Sequence, residues 1–271
     1  MTQSSPRRPL TVASLAAMKQ RAEPIVALTA YDFSFARALD EAGVDLVLVG
    51  DSLGMVVQGH DTTLPVTMDE MIYHSRCTAA GLERAVLMVD MPFMSHISPD
   101  EALRNAGRLM KEGGAQMVKL EGGQEQAEVV RRLAENGIPV CAHLGLRPQS
   151  VHKLGGYRVQ GREAGTAERM CQDALALQQA GADLLLLECV PVELAGRIRR
   201  EIRLPVIGIG AGPDIDGQIL VLHDMLGLTP GRAPRFVRNF MLDASSIQEA
   251  LARYADAVRN AEFPAAEHCF Q

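Results

Sequence analysis

Four runs of branched apolar residues in this chain end on an acid: LVLVGD on Asp51, AVLMVD on Asp90, MVKLE on Glu121 and LLLLE on Glu188. A strand with one face in water alternates polar and apolar side chains. Runs this continuous instead predict parallel strands covered on both faces, each delivering a carboxylate at its C-terminal end. Parallel α/β sheets keep their active sites at that end. Carboxylates gathered there repel one another unless a cation or a shared proton holds them. Oxygen ligands without thiolates or a histidine pair suit Mg²⁺, which keeps several waters and leaves positions for substrate oxygens. Asp51 and Asp90 end neighbouring runs and so can approach one ion together. Each acid taken alone could instead cap the segment that follows it.

Three more side chains stand among these strand ends. Lys119 and Glu121 are two residues apart in one predicted strand and share a face. If that face is the barrel interior, the lysine can neutralise an anionic substrate group or its neighbouring glutamate, and an amine there also admits Schiff-base chemistry. His143 closes PVCAH, where a lone histidine is more often a hydrogen-bonded structural residue than a catalytic one. Glu188 follows four leucines and precedes Cys189, Val190 and Pro191. Such apolar company disfavours its charged form and raises its pKa toward that of a useful general base. GIGAG at 208–212 follows a predicted strand, but Pro213 and Ile215 fall where the dinucleotide motif needs its third glycine, and no GxxxxGK[ST] loop occurs. It predicts a place where a ligand or helix comes close to the backbone. Cys141 and Cys189 lie in apolar runs and read as packing residues.

The elements that must position these groups recur along the chain. Strand-like runs fall at 25–30, 45–50, 85–90, 117–121, 139–143, 183–188, 205–210 and 218–223. Helical segments alternate with them, two of them opening on the S/T-x-x-E pattern at Thr67–Glu70 and Ser98–Glu101, the second with Pro99 at the first helical position. DEAGVDLVLV, KEGGAQMVKL and QQAGADLLLL form a weak internal echo, each running from a helix end through glycine into a strand. Eight strand and helix units favour a closed (β/α)8 TIM barrel over an open sheet. An extra N-terminal helix over 11–21 is predicted to cover one end, and a last strong helix over 246–260 to close the fold. Two connections, 52–65 and 145–165, exceed tight turns and follow strands at the active end, which marks them as covers for a site.

Length and composition agree with this reading. The 271 residues suit one barrel domain spanning 1–271. The chain is 47% hydrophobic yet only 4% aromatic and lacks Trp, so its core must be Val, Leu, Ile, Ala and Met, a mixture that parallel sheets favour. A net charge of −6 with no dense Lys/Arg stripe argues against nucleic acid as a partner. The five cysteines form no CxxC pair, the opening MTQSSPRRPL leads into no apolar stretch, and no run is long enough to span a bilayer. A soluble cytoplasmic protein without membrane partners is expected.

At higher resolution the motifs stop being generic. LTAYDFSFA, LVGDSLGMVVQGHDTTLPVTMDEM, MVKLEGG, VCAHLGLRPQSV, GGYRVQG, LECVPVEL and GIGAGPDIDGQILVLHD, in unbroken order from about 11 to 268, closely resemble the ketopantoate hydroxymethyltransferase family. The resemblance implies a (β/α)8 barrel of the phosphoenolpyruvate/pyruvate superfamily. It implies a Mg²⁺-dependent transfer of a hydroxymethyl group from 5,10-methylenetetrahydrofolate to 3-methyl-2-oxobutanoate through a stabilised enolate, giving ketopantoate for pantothenate and coenzyme A. It assigns Asp51 and Asp90 to metal and oxo acid, Glu121 to the metal, Ser52 and Lys119 to the substrate carboxylate, His143 to the active site, and Glu188 to the role of base. It also implies a homo-oligomer, a decamer of pentameric rings. Pro213 and the run GREAGTAERM depart from the family pattern and bear on loop shape. The rival enzyme reading is a Mg²⁺-dependent lyase or mutase of the isocitrate lyase kind, against which stands the lack of a KKCGH-like loop. A non-catalytic oxo-acid sensor is the other alternative.

Overall fold

The eight apolar runs become eight parallel strands: β1 (Ile25–Thr29), β2 (Leu46–Val49), β3 (Val86–Asp90), β4 (Met117–Glu121), β5 (Val140–Gly145), β6 (Leu184–Glu188), β7 (Val206–Ile209) and β8 (Gly217–Leu220). In the computed structural model, which describes residues 8–271, each strand pairs with the next and β8 pairs back onto β1 from Ile25↔Gly217 to Leu28↔Leu220, closing the barrel. The opening segment through Arg7, read above for a leader, lies outside the described residues.

Alternate residues of β3–β7 enter two separate apolar layers, which is why these runs are continuous. Met88, Met117, Cys141, Leu184, Leu186 and Ile207 face the barrel interior. Their neighbours Leu87, Val89, Val118, Val140, Ala142, Leu185, Leu187 and Val206 pack outward under the helices. Side-chain direction repeats every two residues along a strand. The interior parity of Met88, Met117, Cys141 and Leu186 therefore carries Asp90, Lys119, Glu121, His143 and Glu188 to the inner face as well.

The internal echo has a physical cause. The residue just before each even strand pairs with the backbone of the odd strand beside it: Asp45 with Val26, Gln116 with Leu87, Asp183 with Val140 and Asp216 with Val206. In each pair the side chain accepts the partner's N–H at 2.9–3.0 Å. The same residue's N–H returns a bond to the partner's carbonyl at 2.8–2.9 Å. A strand start at a sheet's end has backbone groups without ladder partners, and an Asp or Gln there satisfies them.

Both terminal helices serve the barrel. The first, Val12–Gln20, is capped by a full Thr11/Ser14 box and buries Leu15 and Met18, and its Lys19 reaches Asp216 at 3.0 Å. Because Asp216 precedes β8, this helix covers the N-terminal end of the barrel. The last, Ile247–Arg259, clasps the β1/β8 seam: the buried Tyr254 hydroxyl donates to the carbonyls of Ala27 (2.9 Å) and Gln218 (3.1 Å). The capping box forms in full at Thr67/Glu70, whereas at Ser98 only the forward bond from Glu101 N–H is made.

Two strand limits differ from expectation. β5 runs on past His143 to Gly145, whose φ of +92° and position suit only glycine, since a Cβ there would lie 2.2 Å from the Glu188 carbonyl oxygen. That approach lets Leu146 N–H bond Glu188 O at 2.8 Å and holds β5 against β6 up to the site. β8 ends at Leu220 rather than at 223. The Thr29 hydroxyl accepts the Leu222 N–H at 2.9 Å, and the chain turns into a short helix, Leu222–Met225, that takes His223 out of the sheet.

Candidate active site

A cavity of about 550 Å³ opens at the C-terminal end of the barrel, and Asp51, Ser52, Asp90, Lys119, Glu121, His143 and Glu188 all line it. The strand-end residues that the sequence singled out are thus brought to one place. Asp90, Lys119, Glu121 and His143 are buried, while the Glu188 side chain keeps 16% exposure.

Register fixes the contacts. β3 and β4 pair Asp90 with Lys119, and the Lys119 Nζ meets Asp90 Oδ1 at 2.8 Å; β4 and β5 pair Glu121 with His143. Asp51 lies past the end of β2, where no strand bond holds it. Its own N–H instead donates to Asp90 Oδ2 at 3.0 Å, which sets the two acids side by side. The Ser52 hydroxyl is 2.9 Å from the Tyr31 hydroxyl.

His143 is held between lysine and glutamate. Lys119 Nζ stands 3.3 Å from Nδ1, and an ammonium has no lone pair to accept with, so Nδ1 is the acceptor. The proton of the neutral ring then sits on Nε2, which faces Glu188 Oε2 at 3.3 Å. Burial, then the charges of Lys119 and Arg147, hold the His143 pKa well below its ordinary value, so the ring stays neutral.

The acids are not neutralised within the cluster. Burial first, then the charge on Asp90, pushes the Asp51 pKa up to about 7. Burial and the charge on Asp51 raise Glu121 well above the usual range. Burial first, opposed by Lys119 and aided by the charges of Asp51 and Asp90, lifts Glu188 to about 8. For Lys119 burial works the other way, but the combined pull of Asp90, Glu121 and Asp51 overcomes it and keeps the side chain an ammonium. An amine so held is a poor Schiff-base nucleophile, since it attacks only when deprotonated.

Among the described residues no three His, Cys, Asp or Glu side chains converge tightly enough to hold an ion by themselves. Asp51 and Asp90 are joined directly, whereas Glu121 meets the Gln149 N–H at 3.2 Å and stands 3.7 Å from His143 Nδ1. Mg²⁺ commonly takes one or two protein carboxylates and completes its shell with water and substrate oxygens. The residues fit that ion as an adjacent all-oxygen pair, with a third carboxylate in reserve and excess negative charge around it.

Other lining groups come from the two long connections that the sequence marked as covers and from segments it did not single out. Both long connections reach the cavity, the first through Met55 and Thr63 and the second through Leu146, Pro148, Tyr157 and Val159. The Tyr157 hydroxyl donates to Met55 Sδ at 3.6 Å, joining the two loops. Asp224, Arg235, Phe236 and Phe270 add a wall from beyond β8. Phenylalanine is scarce in this chain, and the crowding of four of its seven into the C-terminal third was the available clue. GIGAG meets both these rings and a helix: a Cβ on Gly210 would lie 3.0 Å from both Phe236 and Phe270, and one on Gly212 would lie 2.6 Å from Val192, which opens the helix Val192–Glu201. Cys141 and Cys189 are buried, and burial pushes both thiols up, as packing residues require.

Comparison with known proteins gives the family. The family model described as ketopantoate hydroxymethyltransferase matches residues 9–266. The chain is 66% identical over 264 residues to a 3-methyl-2-oxobutanoate hydroxymethyltransferase of Alkalilimnicola ehrlichii, covering 97% of this chain and 95% of that protein. It is 61% identical to the protein of the same name from Halorhodospira halophila, covering 97% and 95%. Among solved structures, a phosphonomutase-like protein of Burkholderia cenocepacia aligns with a TM-score of 0.62 at 14% identity, over 80% of this chain and 94% of that one. A 2,3-dimethylmalate lyase of the PEP mutase/isocitrate lyase superfamily aligns with a TM-score of 0.58 at 18% identity, over 80% and 83%. At such identities these two show a shared barrel fold alone.

Proposed function

Since the chain belongs to the ketopantoate hydroxymethyltransferase family, we propose that it transfers a hydroxymethyl group to 3-methyl-2-oxobutanoate, with 5,10-methylenetetrahydrofolate as donor and Mg²⁺ held by Asp51 and Asp90, supported by Glu121. The product is ketopantoate, for pantothenate and coenzyme A synthesis in the cytoplasm. The observation that carries this reading is the meeting of Asp51, Asp90, Lys119, His143 and Glu188 in one cavity whose acids outnumber its ion-paired cations.

The chain's own residues divide the work. Lys119, kept as an ammonium, and the Ser52 hydroxyl receive the substrate carboxylate. Asp51 and Asp90 would hold the divalent cation, which when bound would supply Lewis acidity worth several kcal/mol to the charge developing on the substrate's ketone. Glu188, raised to about 8, is basic enough to take the proton from the carbon beside the ketone. The carbon's electron pair then forms the new C–C bond to the donor's one-carbon unit; both C–N bonds of that unit break, water supplies the hydroxyl, and the two donor nitrogens take up one proton from water and the one that Glu188 removed. His143 Nε2–H stands 3.3 Å from Glu188 Oε2 without yet bonding it, so a small realignment lets it donate to the carboxylate. Apolar walls from Leu186, Ile209 and Val159 keep water from the carbanion.

The cavity is far larger than a five-carbon oxo acid, which leaves room for a bulkier co-substrate. Exposed Phe33, Tyr73, Met94 and Ile97 support self-association, read here as a homodecamer, which light scattering tests. The reaction itself is tested by consumption of 3-methyl-2-oxobutanoate with methylenetetrahydrofolate. Turnover is expected with Mg²⁺, with loss on chelation and recovery on adding the ion back. Turnover that survives chelation, or that borohydride arrests by trapping Lys119, would overturn the cation reading.

A further inference from the structure

Gln149, on the connection after β5, touches the ends of three consecutive strands at once. Its side-chain Nε2 donates to Asp51 Oδ2 at 2.8 Å and to the Met91 carbonyl at 3.0 Å. Its backbone N–H faces the Glu121 carboxylate, 3.2 Å from Oε2 and 3.4 Å from Oε1. Both amide protons are therefore used, and the orientation of the amide is forced, because turning it over would aim its oxygen at a carboxylate and a carbonyl. The Met91 anchor is itself fixed: Met91 is fully buried, and its N–H donates to the Lys119 carbonyl at 2.8 Å.

We propose that Gln149 is a positioning residue for cation binding at the barrel mouth, holding Asp51 to the rim of β3 and β4 and Glu121 beside it. The proposal rests on the reading that Asp51 and Asp90 hold the ion. Two observations carry it. Asp51 lies on a turn past β2, so its carboxylate has no strand ladder to orient it, and Gln149 supplies the bond that does so. That bond occupies a single lone pair of Oδ2, so a carboxylate that lines the cavity keeps acceptor capacity for a ligand. The same residue belongs to the loop that covers the site, so covering the cavity and setting its carboxylates are one structural act.

Outer partners that orient ligating carboxylates change metal affinity by roughly 10–100-fold when removed. Gln149→Met keeps the chain length and the backbone N–H to Glu121 while deleting both side-chain donors. Mn²⁺ is titrated into the purified full chain, and free ion is read by electron paramagnetic resonance with and without 3-methyl-2-oxobutanoate. The expected result is about 10–100-fold weaker Mn²⁺ binding by Gln149→Met with an unchanged melting temperature. Gln149→Asn, whose amide falls short of Asp51, is expected to weaken binding as well. Parent-like affinity in both variants overturns the role of Gln149. Asp51→Asn separates the underlying reading: parent-like affinity in that variant removes Asp51 as a ligand and the proposal with it. Lost affinity there, beside intact affinity in the Gln149 variants, overturns the proposal alone.

Discussion

The two ends of this barrel bury acids in opposite ways. At the N-terminal end Asp45 meets Arg84 at 2.6 Å and Arg259 at 3.4 Å, and Asp216 meets Lys19 at 3.0 Å and Arg199 at 2.8 Å. Each of these acids also accepts a backbone N–H, from Val26 and Val206. At the C-terminal end Asp51, Asp90, Glu121 and Glu188 share Lys119, the one Lys or Arg ion-paired to any of them among the described residues. The first arrangement is complete in itself, and its acids serve the strands. The second leaves its acids with a single cation between them and their pKa values raised, a costly arrangement for folding that marks a functional site and suits the proposed cation and substrate.

Substitutions at the two ends should therefore act with opposite signs. The largest effect is expected at the mouth: Asp51→Asn lowers turnover by about 10³-fold or more, since on the proposed reading it withdraws a ligand of the ion that would stabilise the transition state. Its melting temperature stays level or rises, because one of several repelling carboxylates is gone. A fall in melting temperature with turnover retained would reverse the assignment of the two ends. Next comes Asp216→Asn, which breaks two ion pairs and weakens the bond to Val206. It should cost about 2–3 kcal/mol, seen as a drop of roughly 5–10 °C in a calorimetric scan, while kcat for the surviving folded enzyme holds. An unchanged scan would mean that the N-terminal acids are no more structural than those at the mouth.

A smaller effect sharpens the contrast through pH. Glu188 ionises at about 8 in the folded chain against an ordinary 4.5, so between those values the folded state holds a proton that the unfolded chain has released. For a raised acid the stabilisation is complete below 4.5 and is lost as pH climbs through 8. In chelator the melting temperature should fall from pH 5 to pH 9, and Glu188→Gln should flatten that fall. The side chain's 16% exposure limits the size of the change, since water entering the cavity screens the charge. Equal slopes in both proteins would deny that Glu188 carries the shift.

Much of this contrast was legible in the residues and some was not. Continuous apolar runs gave the strands because both faces of β3–β7 are covered, and period-two parity then put Asp90, Lys119, Glu121, His143 and Glu188 on one inner face. Sequence alone foresaw Lys119 beside Glu121, but the observed partner is Asp90, across the β3/β4 register, and register is a property of the closed barrel. Gln149 escaped notice because a neutral amide in a loop carries no pattern until the loop is folded back over three strands. The end of β8 was overrun by three residues, since the apolar run continues through Leu222 while the Thr29 hydroxyl, distant in sequence, turns the chain. The N-terminal acids looked in sequence much like those of the mouth. Their position before a strand instead of after it, together with the arginines facing them, is what separates the two sets.

The central claim, that Glu188 is the base acting on an oxo acid seated at the mouth, is tested most directly by proton exchange. The C3 hydrogen of 3-methyl-2-oxobutanoate is followed by NMR in D2O with Mg²⁺ and without the folate donor, for the parent and for Glu188→Gln. The account predicts exchange in the parent and a loss of about 10²–10⁴-fold in the variant, with binding of the oxo acid retained. Exchange at the parent rate in Glu188→Gln would contradict it.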